Sequence, residues 1–230
     1  MNAVAIITAR GGSKRIPRKN VKEFLGKPIL LYSIEAALNS GMFEEVMVST
    51  EDEEIAELAR KAGAVVPFMR GSENANDFAT TTDVLLEVVG EYEKRGKHFE
   101  YGCCIYPTAP FVTAEKLREG MERLAASDAD TLMPVVPFSF PPQRGMVIRE
   151  DKLQFIQPEH ALTRSQDLEH WYHDVGQFYC FRTENFKRNK ILTVGNVLPL
   201  VVSELEVQDI DTISDWKIAE MKYEAMVEKK

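Results

Sequence analysis

The chain has 230 residues, a hydrophobic fraction of 44% and a formal net charge of −8. That length suits one substantial domain carrying an insertion. The acidic balance argues against a general nucleic-acid binder, which needs a basic face, and no apolar run is long enough to span a membrane. Cys103, Cys104 and Cys180 have neither a CxxC pattern nor zinc-ligand spacing, so they read as buried, reduced thiols of a cytoplasmic chain.

In chain order, Ala3–Ala9 is an apolar run rich in β-branched residues, as in a strand covered on both faces. A Gly-rich basic turn follows. Pro28 opens a helix over ILLYSIEAAL that ends near Gly41. Val46–Ser49 reads as a strand, and Thr50 with Glu53 has capping-box spacing before the helix IAELARKAG. Ala64–Phe68 reads as a third strand. Phe78–Arg95 opens on threonines and continues as a helix, and Phe99–Tyr106 is a buried strand ending at the loop PTAPF. A helix over Ala114–Ala126 and a strand over Asp130–Val135 come next. The βαβαβ rhythm predicts an α/β fold with a doubly wound, mostly parallel, Rossmann-like sheet.

The rhythm breaks at Pro137, Pro141 and Pro142. Met146–Arg149 and Leu153–Ile156 read as a hairpin within an inserted lid or dimerisation segment of about 139–174, inside one domain of 1–230. Gln177–Phe181 and Leu198–Val202 return as strands. The last helix starts after Thr212, with Asp215 in its first turn.

Two clusters carry chemistry. The first is TARGGSKRIPRKN, Thr8–Asn20, directly after a core strand. Gly11 and Gly12 permit tight backbone geometry, and their amides can form an anion nest. Arg10, Lys14 and Lys19 can neutralise phosphate charge, and Ser13 can donate to a phosphate oxygen. The spacing is neither GxxxxGK[ST] nor GxGxxG. The second cluster is EVQDIDT, Glu206–Thr212. In an extended segment Asp209 and Asp211 point to one side, and paired carboxylates suit Mg²⁺ shared with phosphates; Asp211 or Thr212 can alternatively cap the last helix.

The order ARGGSKRIPRKN, GKPILLYSIEAAL, EEVMVSTEDEEIAELARKAGA, YPTAPF and VQDIDT resembles the CMP-sialic acid synthetase-like cytidylyltransferases over essentially the whole chain. The resemblance implies a Mg²⁺-dependent, typically homodimeric enzyme. It would join CMP from its co-substrate CTP to the anomeric oxygen of a nine-carbon keto-sugar acid and release pyrophosphate. It also implies phosphate contacts from Arg10, Lys14, Lys19 and Ser13, base contacts from Asn20 and Arg70, and metal ligands at Asp209 and Asp211. Tyr106 stands where sialic-acid enzymes commonly carry glutamine. The segments 158–181 and 77–89 resemble instead the branch of the family that acts on pseudaminic acid. N-acetylneuraminate, legionaminate or KDO as acceptor, and a catalytically silent nucleotide binder, are the alternatives.

Substrate-binding candidates come from the polar and aromatic stretch after Pro158: Arg164, Gln166, His173, Gln177 and Phe178, together with Tyr106. Arg144 or Arg164 can pair with the sugar carboxylate. Tyr106, Phe111, Phe178 and Tyr179 are candidates for an apolar wall facing a C9 methyl.

Overall fold

The computed structural model describes residues 1–76 and 78–228. Asp77, which opens the 77–89 segment, and positions 229–230 of the expected domain lie outside the described residues. The elements run β1 (Ala3–Thr8), β2 (Glu23–Phe24), β3 (Lys27–Pro28), α1 (Ile29–Ser40), β4 (Glu45–Ser49), α2 (Glu53–Lys61), α3 (Thr81–Lys94) and β5 (Tyr101–Ile105). They continue with α4 (Ala114–Ala125), β6 (Thr131–Pro137), β7 (Met146–Arg149), β8 (Lys152–Phe155), β9 (Tyr172–Asp174), β10 (Phe178–Arg182), α5 (Thr183–Asn189), β11 (Val197–Val201) and α6 (Ile213–Val227).

The main sheet has the order β11-β6-β10-β5-β1-β4, with β9 also paired to β6. The β1 strand is parallel to β4 and β5, and β11 is parallel to β6. By contrast β10 is antiparallel to both its neighbours, and β9 is antiparallel to β6. The sheet is therefore mixed, a correction to the mostly parallel expectation. A strand buried on both faces has the same apolar pattern in either direction, so its sequence carries no sign of its sense.

Alternate residues of β1 point to opposite layers. Ala3, Ala5 and Ile7 meet Leu30, Ile34 and Ala37 of α1, Ile55 and Ala59 of α2, and Leu117 and Met121 of α4. Val4 and Ile6 meet Leu85, Val88 and Tyr92 of α3 and Phe186 of α5. A third cluster packs Phe24, Tyr32, Phe111 and Trp216 beneath the β2–β3 hairpin and α6.

Helix ends follow local chemistry. Gly41 closes α1 with φ 68°, a left-handed turn that disfavours other residues. The expected Thr50 cap of α2 is corrected to Asp52: its Oδ1 accepts from the Ile55 amide at 3.1 Å, while Thr50 Oγ1 accepts from the Asp52 amide at 3.1 Å. Thr212 and Asp215 form a reciprocal capping box on α6. The expected third strand at 64–68 reduces to one bridge, Met47 with Val65.

The inserted segment holds β7 and β8 as a separate hairpin, but its end re-enters the main sheet. Asp174 of β9 faces Val135, and Cys180 of β10 faces Leu132. Val175, Gly176 and Gln177 bulge out between the two pairings. Among the described residues no helix is long and apolar enough to cross a membrane.

Candidate active site

The first crossover from β1 leads to β4, and β5 lies on the other side of β1. The winding therefore reverses between β1 and β5, where open α/β sheets take ligands at their carboxyl ends. Thr8 ends β1 and Tyr106 follows β5. Both line a cavity of about 700 Å³ there.

The basic loop supplies one wall: Arg10, Ser13, Lys14, Arg15, Lys19 and Asn20 all line the cavity. Asn20 is buried, and its Nδ2 donates to the Arg10 carbonyl at 2.8 Å, folding the loop back on itself. Arg18 clasps Asp52 and Glu54, tying the loop to the start of α2. That guanidinium holds the Asp52 carboxyl below the usual carboxylate range. Gly11 is required by close approach, because a Cβ there would stand 2.4 Å from Asp52 Oδ2. Its amide donates to Glu51 Oε1 at 2.7 Å, so the expected anion nest is corrected at that amide, which already serves a carboxylate.

Arg70 lines the same cavity from the far side. Its Nε donates to Ser49 Oγ at 3.0 Å, its Nη2 to the Ser49 carbonyl at 2.5 Å, and Nη1 lies 3.9 Å from Glu51. Burial pulls its pKa down from the ordinary arginine value. The remaining wall is the start of α3, Thr80 and Thr81, with Asn74 and Asn76 from the turn before it. These neutral residues did not stand out in the sequence. Their signal was the threonine run, since Thr80 and Asp83 form a capping box that presents the positive end of α3 to the cavity.

The acidic segment reaches the basic loop. Arg15 Nη1 donates to Asp211 Oδ2 at 2.6 Å, and Lys19 Nζ lies 3.8 Å from Asp211 Oδ1. Lys19 also donates to the Ile210 carbonyl at 2.6 Å. Ile210 is buried, so Asp209 and Asp211 both project away from the core. Asp209 lines a second cavity of about 460 Å³ with His173, Asp174 and Lys222. Among the described residues no group of three or more His, Cys, Asp or Glu side chains converges on one point. Asp211 beside the basic loop, with Asp209 two residues before it, fits magnesium, which takes one or two carboxylates and completes its shell with other oxygens and water.

The expected substrate residues divide. Tyr106 sits in the main cavity, with its Oη 3.3 Å from Thr81 Oγ1. His173 lines the second cavity and packs its ring 4.8 Å from Phe138. Gln177 is buried and donates Nε2 to the Glu206 carbonyl at 2.6 Å. Phe178 is corrected to a core residue, fully buried and packed at Gly120 of α4. Phe111 is likewise core, so neither forms a ligand wall. Arg164 lies in the inserted segment, outside the main cavity, and pairs with Asp167 at 2.7 Å. Arg144 donates to Ser165 at 3.3 Å, and Gln166 lines a separate cavity of about 250 Å³ with Trp171. Within one protomer the 164–166 contacts do not meet the basic loop.

The cytidylyltransferase family model matches residues 4–197. A pseudaminic acid cytidylyltransferase from Campylobacter jejuni is 38% identical over 224 residues, covering 97% of each chain. A CMP-N,N'-diacetyllegionaminic acid synthase from Legionella pneumophila is 31% identical over 238 residues, covering 99% of this chain and all of that one. Among solved structures, a CMP:2-keto-3-deoxy-manno-octonic acid synthetase complexed with CTP superimposes with a TM-score of 0.71 at 18% identity, covering 99% of both chains. The basic loop, the mixed α/β sheet and the family match agree: the chain belongs to the cytidylyltransferase family.

Proposed function

We propose that this protein transfers CMP from CTP to the anomeric oxygen of pseudaminic acid, releasing pyrophosphate. The observation that carries the reading is the meeting of Arg15 and Lys19 with Asp211 at a cavity lined by Arg10, Lys14 and Arg70. That arrangement sets cations for a triphosphate beside carboxylates for a cation. The similarity to the Campylobacter enzyme over nearly the whole chain supports pseudaminic acid as the acceptor.

In this reading Arg10, Ser13, Lys14 and Lys19 hold the phosphates, and Asn20 and Arg70 face the nucleoside. The sugar's anomeric oxygen attacks the α-phosphorus in line with the departing pyrophosphate. Fixed positive charge offsets the negative charge that grows on the phosphate oxygens. Asp209 and Asp211 hold Mg²⁺, which supplies charge neutralisation at the phosphates. With Phe111 and Phe178 committed to the core, the half-buried Tyr106 in the main cavity remains as the aromatic wall for the acceptor. Exposed apolar side chains of the inserted segment, among them Phe140 at 86% and Leu162 at 98% exposure, suit burial against a second copy of the chain. That copy can bring Arg164 to the neighbouring site.

The test is kcat/KM with CTP, Mg²⁺ and each of pseudaminic acid, N,N'-diacetyllegionaminic acid and N-acetylneuraminate, read by pyrophosphate release. Pseudaminic acid should lead by at least about tenfold, the cost of leaving one buried polar group unpaired. Equal values would reject the acceptor assignment. No pyrophosphate with any sugar acid would reject the transferase reading.

A further inference from the structure

The walls of the main cavity differ in character. The basic loop gives one wall its cations, while the wall made by Arg70 and the start of α3 adds Asn74, Ala79, Thr80 and Val84. A triphosphate belongs with the first, and a flat base with a few polar edge groups belongs with the second. Val84 is buried on α3 and gives that wall an apolar surface. The turn between Arg70 and α3 hangs on one carboxylate. Glu87 of α3 accepts the Gly71 amide on Oε1 at 2.6 Å and Asn74 Nδ2 on Oε2 at 2.7 Å. The Asn74 amide closes the same turn by donating to the Gly71 carbonyl at 3.0 Å.

This carboxylate fixes which way the Asn74 side chain faces. An ionised carboxylate only accepts, and a primary amide keeps its donors on nitrogen and its acceptor on oxygen. Glu87 therefore holds the nitrogen, and Oδ1 turns away from it. Among the described residues no donor reaches Asn74 Oδ1, and the residue lines the cavity. The Gly71 amide fixes Glu87 in its turn, since a backbone N–H only donates. At its 4-position cytosine carries an amino group, a donor, where uracil carries a carbonyl oxygen, an acceptor. An amide oxygen pairs with the first and opposes the second.

We propose that Asn74 is a specificity-determining residue whose Oδ1 accepts from the amino group of cytosine, and that Glu87 is the positioning residue that keeps this oxygen toward the cavity. The inference rests on the reading that Arg70 faces the nucleoside. It assigns a role to two side chains that the phosphate and metal groups do not use. Selection against UTP then comes from an acceptor set against an acceptor, a repulsive element built into the wall.

The test compares CTP with UTP in the full chain, by calorimetric Kd and by kcat/KM with Mg²⁺ and pseudaminic acid, for the wild type, Asn74→Ala and Glu87→Gln. The wild type should prefer CTP by at least about tenfold, the scale for one buried polar group left unpaired. Asn74→Ala should cut the CTP-to-UTP ratio about three- to tenfold, the range for one neutral hydrogen bond, with the sugar-acid KM unchanged. Glu87→Gln should lower the ratio by a different route. The Gly71 amide keeps the new side-chain oxygen on its own side, so the new Nε2 faces Asn74. The Asn74 amide then turns over to accept from it and offers Nδ2 to the cavity, so this variant should lose CTP affinity and gain UTP affinity. A wild type indifferent to the two nucleotides would overturn the inference. Equal losses for both nucleotides in the variants, with a lower melting temperature, would mark a purely structural turn and overturn it too. A lower ratio in Asn74→Ala without a gain for UTP in Glu87→Gln would show that the carboxylate does not set the amide, and would overturn the inference while leaving the base at this wall. Wild-type affinities for both nucleotides in Asn74→Ala would move the base away from this wall and reject the underlying reading with the inference.

Discussion

Lys19 donates to the Ile210 carbonyl at 2.6 Å and stands 3.8 Å from the Asp211 carboxylate. One side chain thus joins the loop after the first strand to the acidic segment near the end of the chain. The loop is further held by Asn20 and by the Arg18–Asp52 clasp. These contacts pre-set the distance between cations and carboxylates before a nucleotide arrives. Such preorganisation is what electrostatic catalysis requires.

Asp211→Asn should lower kcat by at least about tenfold, the scale of losses at metal-site positions, and Asp209→Asn should lower it in the same direction. The fold should survive, since the Arg15–Asp211 pair is largely exposed and such pairs contribute less than about 1 kcal/mol. Turnover across a magnesium titration, with far-UV circular dichroism as the control, checks this. Wild-type turnover at every magnesium level in both variants would remove the carboxylates from the site.

Burial holds the Lys19 ammonium below the ordinary lysine range, against the opposing pull of Asp211 and Asp209. Between the lowered folded pKa and the ordinary unfolded one, the unfolded chain binds more protons, so this group's contribution to stability rises with pH. Phosphate binding has the opposite slope, because it uses the charged form. kcat/KM for CTP should therefore fall on an alkaline limb below the usual lysine pKa. Lys19→Arg, which stays charged, should move that limb upward. A limb that does not move belongs to another group.

Gly11→Ala should destabilise the protein by about 1–3 kcal/mol, the usual cost of overpacking, and weaken CTP binding, because the new Cβ meets Asp52 Oδ2 at 2.4 Å. Gly12→Ala should change stability by less than about 0.5 kcal/mol, since nothing lies within 4 Å of its added Cβ. Thermal melts and calorimetric CTP titrations of the pair make the comparison. Equal effects would show that the Asp52 contact does not set the loop.

Sedimentation of the purified chain should give twice the chain mass. Ile148→Glu with Leu153→Glu, on the exposed apolar hairpin, should give a monomer with CTP binding retained. A wild-type chain that sediments as a fully active monomer would exclude the inserted segment as a self-contact.

The β1–α1–β4–α2 start was legible because each strand is uniformly apolar and each helix carries its own stop or start signal, such as Gly41. The antiparallel sense of β10 was not legible, since FYCF reads the same in both directions. The α5 helix, TENFKRN, was missed because seven residues with a single buried aromatic give no periodicity. Within the site, charge advertised Arg10, Lys14, Lys19 and Asp211. Asn74, Asn76 and Thr81 became visible only when the fold set the start of α3 against the loop. Phe178 and Tyr179 are adjacent and both aromatic, yet strand alternation sends one into the α4 layer and the other toward Tyr106.

The Phe138 amide donates to the Trp171 carbonyl at 3.0 Å, so the stretch 139–170 leaves the sheet and returns to it through one doorway. Its length is close to a free parameter for the host, because doubling a closed loop costs only about 0.6 kcal/mol. Descent can then lengthen, shorten or exchange this stretch without renegotiating the place of β10 between β5 and β6. We predict that a chimaera carrying a relative's stretch here keeps the parent far-UV spectrum and CTP affinity, and an unfolded chimaera would contradict this. The stretch between Phe138 and Trp171 can therefore vary while the place of β10 between β5 and β6 stays fixed.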